Sequence, residues 1–165
     1  MKLVMILALT FLGVASNGQI NPNRIPDRVD NVKTDKHIKI QARLFIIPPD
    51  GFELSNLGIS KNENTMIVAF DQVYGDYFAS TKNFNKEGFQ KKGAKVFEYK
   101  EFTFGDYSAK YISMETDPKE TKSIMVFGDK TFSVMITGMF PSSDSKTGEQ
   151  IKKAILSIYF KKELE

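Results

Sequence analysis

Two strand–turn–strand patterns between residues 94 and 140 constrain the fold most strongly. The four apolar or alternating runs cover residues 94–104, 107–116, 123–127 and 131–140. The runs of each pair are separated by two or three residues that begin with Gly-Asp at 105–106 and 128–129, which is typical of a β-hairpin. Because short connections join antiparallel neighbours, we expect an antiparallel sheet.

Two earlier segments extend the predicted sheet. Residues 37–44 alternate polar with apolar side chains and residues 45–47 are apolar, so 37–47 predicts one strand that ends at Pro48. Pro49-Asp50-Gly51 fits a turn, after which Phe52 is expected to return to the core. Residues 65–70 predict a further apolar strand.

Helical periodicity is present in two places. Residues 74–93 predict one helix with Asp76 as its N-cap, Gly93 at its C-terminal end and close packing at Gly88. A second helix is predicted to begin near Thr147, where residues 147–150 match a capping box.

The second helix carries an apolar stripe at i, i+3, i+4 and i+7. The stripe consists of Ile151, Ala154, Ile155 and Ile158. It predicts a helix that packs on the sheet, with Lys152 and Lys153 on the opposite, solvated side.

The order of predicted elements is β-β-α-β-β-β-β-α, which indicates an α+β domain built on an antiparallel sheet of about six strands. We expect residues 38–162 to form this single domain. The polar segment 19–37, with prolines at 22 and 26, is expected to be a flexible N-terminal arm.

The first 18 residues have the pattern of a secretory signal peptide. Lys2 is followed by an apolar run over residues 3–15 and by small residues at Ser16 and Gly18. The run is too short to span a bilayer as a helix, so we expect cleavage after Gly18 and no transmembrane anchor in the mature chain. Without a cysteine for a lipid anchor, the expected location is periplasmic or extracellular.

Composition excludes several kinds of chemistry. The sequence contains no cysteine, so disulfides, thiol nucleophiles and cysteine-ligated metals are excluded. Its one histidine, His37, is expected at the surface, and no metal site or cofactor is predicted. A formal net charge of +3 is too balanced to indicate nucleic acid as a partner.

The order and spacing of several segments resemble the PsbP-like fold. These segments are IIPPDGFELS at 46–55, FQKKGAKVFEYKEFTFGDYSAKYI at 89–112 and SIMVFGDKTFSVMITGMFP at 123–141. The family includes an extrinsic photosystem II subunit, a Ran-binding nuclear transport factor and secreted bacterial proteins. The resemblance implies an antiparallel sheet sandwiched by helices and a role in binding protein partners. It implies no catalytic residues.

The segment 70–77 is the predicted contact surface, because it is a loop rich in tyrosine and acid after a buried strand. Its candidate binding residues are Asp71, Tyr74, Asp76 and Tyr77. The alternative, which we favour, is that both tyrosines pack the following helix onto the sheet and that the acids cap it.

Three functions remain open at this point. The first is a secreted, non-catalytic binding or assembly module with a protein partner in the cell envelope. The second is a carrier of a small apolar ligand between sheet and helix, because fourteen phenylalanines and seven methionines could line such a pocket. The third and least favoured is a hydrolase that uses carboxylates alone.

Overall fold

The computed structural model describes residues 24–71 and 75–162, which contain eleven strands and three helices. The strands are β1 (Arg28–Val29), β2 (Ile38–Lys39), β3 (Leu44–Ile46), β4 (Glu53–Ser55), β5 (Gly58–Asn62), β6 (Thr65–Asp71), β7 (Lys95–Phe104), β8 (Tyr107–Asp117), β9 (Glu120–Gly128), β10 (Ser133–Pro141) and β11 (Tyr159–Phe160). The helices are α1 (Tyr77–Ser80), α2 (Lys86–Gln90) and α3 (Ser145–Leu156).

Eight strands form the main sheet in the order β1-β7-β8-β9-β10-β6-β5-β4. Short β1 pairs parallel with the end of β7, and every other neighbouring pair in this sheet is antiparallel. A second, three-stranded antiparallel sheet has the order β11-β3-β2.

The predicted fold class is wrong. The described chain is mostly β, with 46% strand and 16% helix, and is not an α+β sandwich of about six strands between helices. The sequence pattern missed β1, β4, β5 and β11, which have two to five residues each. Such short strands contain too few alternating polar and apolar residues for a periodic pattern to be recognised. The parallel pairing of β1 with β7 also makes the main sheet mixed rather than antiparallel.

The predicted strand over residues 37–47 is in fact a small hairpin outside the main sheet. Strands β2 and β3 pair with each other, and the Ile40 amide donates to the Leu44 carbonyl at 2.9 Å across the turn between them. Polar and apolar residues alternate on both sides of the turn, so this pattern alone did not show that a turn divides the segment into two strands. The predicted turn after Pro49 is confirmed, because the Phe52 amide donates to the Pro49 carbonyl and Phe52 is buried.

The single helix predicted over residues 74–93 is also wrong. Its described part contains two short helices, α1 and α2, separated by residues 81–85. The Asn85 side chain accepts from the Gly88 amide at 2.7 Å and thereby starts α2, since an asparagine side chain competes with the helical backbone for amide groups. Asp76 is the N-cap of α1, as predicted.

The C-terminal helix is present but begins earlier than predicted. Its N-cap is Asp144, whose carboxylate accepts from the Thr147 amide at 3.0 Å, so the predicted capping box at Thr147 is wrong. The predicted apolar stripe is confirmed for Ile151, Ala154 and Ile155, which are buried on α3, whereas Ile158 is buried but lies beyond the end of the helix at Leu156. Lys152 is buried as well, although the pattern placed it on the solvated side.

The two predicted hairpins are confirmed as β7–β8 and β9–β10, and they form the centre of the main sheet. One face of this sheet packs against α3 and the small sheet, with core residues that include Phe127, Ile136 and Ile155. The other face packs against the α1–α2 segment through Tyr77, Ile112 and Met114.

The described part of the predicted arm contacts this core. Ile25 is 1% exposed, and the Asn31 side chain donates to the carbonyls of Leu156 and Ile158. The predicted signal peptide and residues 19–23 lie outside the described residues. Within residues 24–71 and 75–162, no helix has the length and apolar character to cross a bilayer.

Candidate binding site

A cavity of about 600 Å³ opens between the N-terminal half of α3 and one end of the main sheet. We call it the α3 cavity. It is lined by Arg24, Phe97, Glu98, Tyr111, Ser113, Thr121, Ser123, Phe140, Ser142, Ser145, Gly148, Glu149 and Lys152. This volume falls within the range of about 300 to 1,000 Å³ that small-ligand sites occupy.

The floor of the cavity is formed by hydroxyl residues at inward-facing strand positions. On β9, Thr121 and Ser123 share a face with the core residues Met125 and Phe127, because alternate residues of a strand point to the same side. On β8, Ser113 occupies the corresponding position after Tyr111. The face that α3 covers therefore changes from apolar to polar toward this end of the sheet.

A β-bulge in β7 sets which side chains reach the cavity. The register with β8 shifts between Val96, which pairs with Met114, and Glu98, which pairs with Ser113, so Phe97 is the additional residue. Because of this extra residue, Val96 packs in the core beneath α1 and α2, while Glu98 lies on the α3 side. The bulge also leaves the Phe97 ring 49% exposed at the rim of the cavity.

Glu98 and Lys152 form an ion pair in the cavity wall. The Lys152 ammonium donates to both carboxylate oxygens of Glu98, at 3.0 and 2.7 Å, and the Lys152 side chain is only 10% exposed. The same ammonium lies 5.9 Å from the centroid of the Tyr111 ring. Lys152 therefore spans from the helix to the sheet, and its charge is compensated within the wall.

Four hydroxyl groups of the cavity are hydrogen-bonded in two pairs. The Tyr111 hydroxyl donates to Ser123 Oγ at 3.0 Å, and the hydroxyls of Thr121 and Ser142 are 3.0 Å apart. Burial raises the pKa of the Tyr111 phenol, and its hydrogen bond with Ser123 partly opposes this rise. Every buried side-chain nitrogen and oxygen in the described part of the chain has a partner.

Two glycines allow α3 to lie close to the sheet beside the cavity. A Cβ atom on Gly138 of β10 would lie 2.2 Å from Ile151 Cγ2, and one on Gly148 of α3 would lie 2.6 Å from the Phe140 ring. The missing Cβ atoms therefore set the distance between helix and strand, and with it the height of the cavity.

Where the structure describes them, the residues predicted as a contact surface lie at the end of β6 and the start of α1. Asp76 caps α1 by accepting from the Phe78 and Ala79 amides, and Tyr77 is 2% exposed. Asp71 ends β6, paired with Val134 of β10, and Tyr74 lies outside the described residues. Burial raises the pKa of Tyr77 to about 12, which agrees with a ring that packs α1 onto the sheet.

Sequence reasoning did not identify the residues of the α3 cavity. The sequence does contain one indication of the site. Polar residues occupy inward-facing positions of strands whose other inward residues are apolar, at Ser113, Thr121 and Ser123. Lys152 gave no such signal, since lysines on α3 look alike in the sequence and only the tertiary fold buries this one.

Groups suited to metal binding or nucleophilic catalysis do not converge here. Within residues 24–71 and 75–162, no group of three or more His, Cys, Asp or Glu could hold a metal ion. The one histidine, His37, contacts Thr34 and the Ser157 carbonyl at the opposite end of α3. The serines of the cavity thus have no histidine beside them as a base.

No family model and no curated protein matches this chain. The resemblance to the PsbP-like fold therefore stays a prediction from the order of segments.

Proposed function

We propose that the protein is a secreted, non-catalytic binding module and that the α3 cavity holds its ligand. The observation that supports this proposal most directly is the cavity itself. It combines an adequate volume with a floor of serine and threonine hydroxyls and an open rim.

The arrangement of the polar groups favours binding over catalysis. The hydroxyls pair with each other, and the carboxylate of Glu98 pairs with Lys152. A nucleophilic hydroxyl requires a base within hydrogen-bond reach, and a general acid requires a carboxyl whose charge is not held by a cation. These groups are better placed to recognise a ligand than to transform one.

The residues that line the cavity support one kind of small ligand more than another. A carrier of an apolar ligand would present mainly aliphatic and aromatic side chains, whereas nine of the thirteen lining residues are charged or hydroxylated without counting Tyr111. An apolar ligand would displace water from those groups without replacing its hydrogen bonds, which opposes binding. These groups support a ligand with polar groups over the apolar carrier, and Phe97, Tyr111 and Phe140 add apolar surface to the same lining.

Secretion is supported by the N-terminal sequence alone. The proposed signal peptide ends at Gly18, so the processed protein is expected to begin at Gln19. Intact-mass measurement of the protein recovered outside the cytoplasm of its expression host tests this. A chain that retains residues 1–18 would contradict it.

Native mass spectrometry tests the binding function. The purified protein is incubated with the small-molecule fraction of an extract from its source cells, desalted and measured. We expect wild type to retain a small molecule, and we expect Ser145→Trp to lose it, because an indole at this exposed rim position would fill the entrance. Lys146→Trp, at the neighbouring exposed position outside the lining, is the matched control and should retain it.

Two outcomes would contradict the proposal. One is a wild-type protein that retains nothing above the background of a protein without such a cavity. The other is equal retention by wild type and Ser145→Trp, which would place the ligand elsewhere. Circular dichroism of both tryptophan variants verifies that each is folded.

A further inference from the structure

We propose that the ligand of the α3 cavity is a neutral, hydroxyl-rich molecule, a saccharide. This inference rests on the proposed binding function and adds the chemical class of the ligand. It follows from the charge balance of the wall, from the kind of hydrogen-bonding groups on the floor and from one exposed ring at the rim.

The charges around the cavity are balanced. Arg24 and Lys152 oppose Glu98 and Glu149, so the lining has no net charge. The buried cation, Lys152, contacts both oxygens of Glu98. A charged ligand that competes for Lys152 or Glu98 would have to separate this pair in a poorly solvated place, which is costly, whereas a neutral ligand leaves the pair intact.

The hydroxyls on the floor suit a ligand that both donates and accepts hydrogen bonds. Each serine or threonine hydroxyl has one donor and two acceptor sites, so the pairs Thr121–Ser142 and Tyr111–Ser123 leave acceptor sites unused. Lys152 also leaves part of the acceptor capacity of the Glu98 carboxylate unused. Sugar hydroxyls can donate to oxygens of this kind.

The rim adds an apolar surface of limited size. Phe97, the bulge residue of β7, exposes about half of its surface beside Glu98, with the Lys95 ammonium 5.2 Å from the centroid of its ring. The face of an aromatic ring carries negative charge density and attracts the weakly positive C–H groups that cover one side of a pyranose ring. A single exposed ring beside convergent hydroxyls matches a molecule with one apolar face and polar edges.

The test uses saturation-transfer difference NMR on the full-length purified protein with six separate probes. Three probes are neutral disaccharides: maltose, cellobiose and N,N′-diacetylchitobiose. The others are glycylglycine as a zwitterion, citrate as an anion and 1-octanol as an apolar molecule. We expect at least one disaccharide to bind, and its affinity to fall about tenfold in Ser113→Ala through loss of a hydrogen-bonding hydroxyl.

Ser108→Ala is the matched control. Ser108 and Ser113 are both in β8, but Ser108 lies in a concavity beside α1 on the opposite side of the sheet. Its affinity for the disaccharide should equal that of wild type. Thr121→Val provides a second test of the floor, because valine has nearly the shape of threonine without its hydroxyl, and it should also weaken binding about tenfold.

The possible results separate this inference from the proposed function. Binding of glycylglycine, citrate or octanol that Ser113→Ala weakens, with no disaccharide bound, would overturn the saccharide class and leave the cavity as a binding site. Disaccharide binding that neither Ser113→Ala nor Thr121→Val changes would overturn the inference as well, because the sugar would then lie elsewhere. Absence of binding by all three disaccharides would also overturn it.

Discussion

Tyr77 shows how one side chain can suggest a surface in the sequence and belong to the core in the structure. Its ring is buried against the face of the sheet that carries Ile112 and Met114, and its amide donates to the Asp129 carbonyl at 2.8 Å. The next residue, Phe78, is 51% exposed. Adjacent aromatic residues at the start of a helix thus have opposite environments, and sequence spacing did not separate them.

Replacement of Tyr77 tests this packing role. We expect Tyr77→Ala to lower the free energy of unfolding by about 3 to 4 kcal/mol, because it leaves a cavity where a large ring was buried. Phe78→Ala is the matched control and should cost less than about 1 kcal/mol, since its ring is half exposed. Urea denaturation followed by circular dichroism measures both values. A cost for Tyr77→Ala no larger than that for Phe78→Ala would contradict the packing role.

The Glu98–Lys152 pair allows a second prediction at this scale. Glu98→Gln removes the carboxylate that contacts the buried Lys152 ammonium, and we expect a loss of about 1 to 2 kcal/mol because Glu98 is one-third exposed. The double variant, with both Glu98→Gln and Lys152→Met, also lacks the ammonium, so it should recover most of the stability that Glu98→Gln loses. Urea denaturation of both variants provides the test. A double variant less stable than Glu98→Gln would show that the pair does not act as described.

At the scale of elements, the close approach of α3 to β10 depends on Gly138. We expect Gly138→Ala to cost about 1 to 3 kcal/mol, because its Cβ would overlap Ile151 Cγ2. Ile151→Ala removes the overlapping methyl group. The double variant should therefore lose about 1 kcal/mol less stability than the sum of the losses of the two single variants. Additive losses in a double-mutant cycle would contradict the proposed contact.

The start of α3 predicts a pH dependence. The Thr147 hydroxyl and amide both donate to Asp144 and hold the pKa of its carboxyl below its usual range. Because the carboxyl has a lower pKa in the folded state, its stabilising effect is complete above the unfolded pKa of about 3.9 and is lost as the pH falls through the lower folded pKa.

Asp144→Ala should therefore lower the melting temperature by about 2 to 4 °C at neutral pH, with a difference that shrinks below about pH 4. Asp144→Asn keeps an oxygen that can accept from the Thr147 amide and should retain most of the melting temperature. Circular dichroism melts of all three proteins across this pH range give the comparison. A difference between wild type and Asp144→Ala that stays constant with pH would contradict this account of the cap.

The sequence allowed the long elements to be predicted but not the short ones. β7 to β10 and the stripe of α3 repeat their pattern often enough to identify strand and helix, and Gly105 and Gly128 locate the hairpin turns. β1 and β11, with two residues each, depend on partners distant in the sequence. The break between α1 and α2 depends on a side-chain cap at Asn85. These features are set by tertiary contacts and by local hydrogen bonds that periodicity does not report.

At the scale of the whole molecule, the candidate site lies where distant segments meet. Arg24 comes from the N-terminal segment, Glu98 from β7, Thr121 from β9 and Lys152 from α3. The sequence gives no indication that these residues are neighbours. The inward-facing hydroxyls of β8 and β9 are the one part of the site that strand periodicity could have revealed.

Mapping of the ligand by amide chemical shifts tests the central claim, that the α3 cavity is the binding site. ¹⁵N-labelled full-length protein is titrated with the small-molecule fraction that native mass spectrometry shows to contain the ligand. We predict that the amides of Ser113, Thr121 and Gly148 shift while those of Asp76 and Tyr77 do not. Shifts confined to the start of α1, with the three cavity amides unchanged, would contradict the claim.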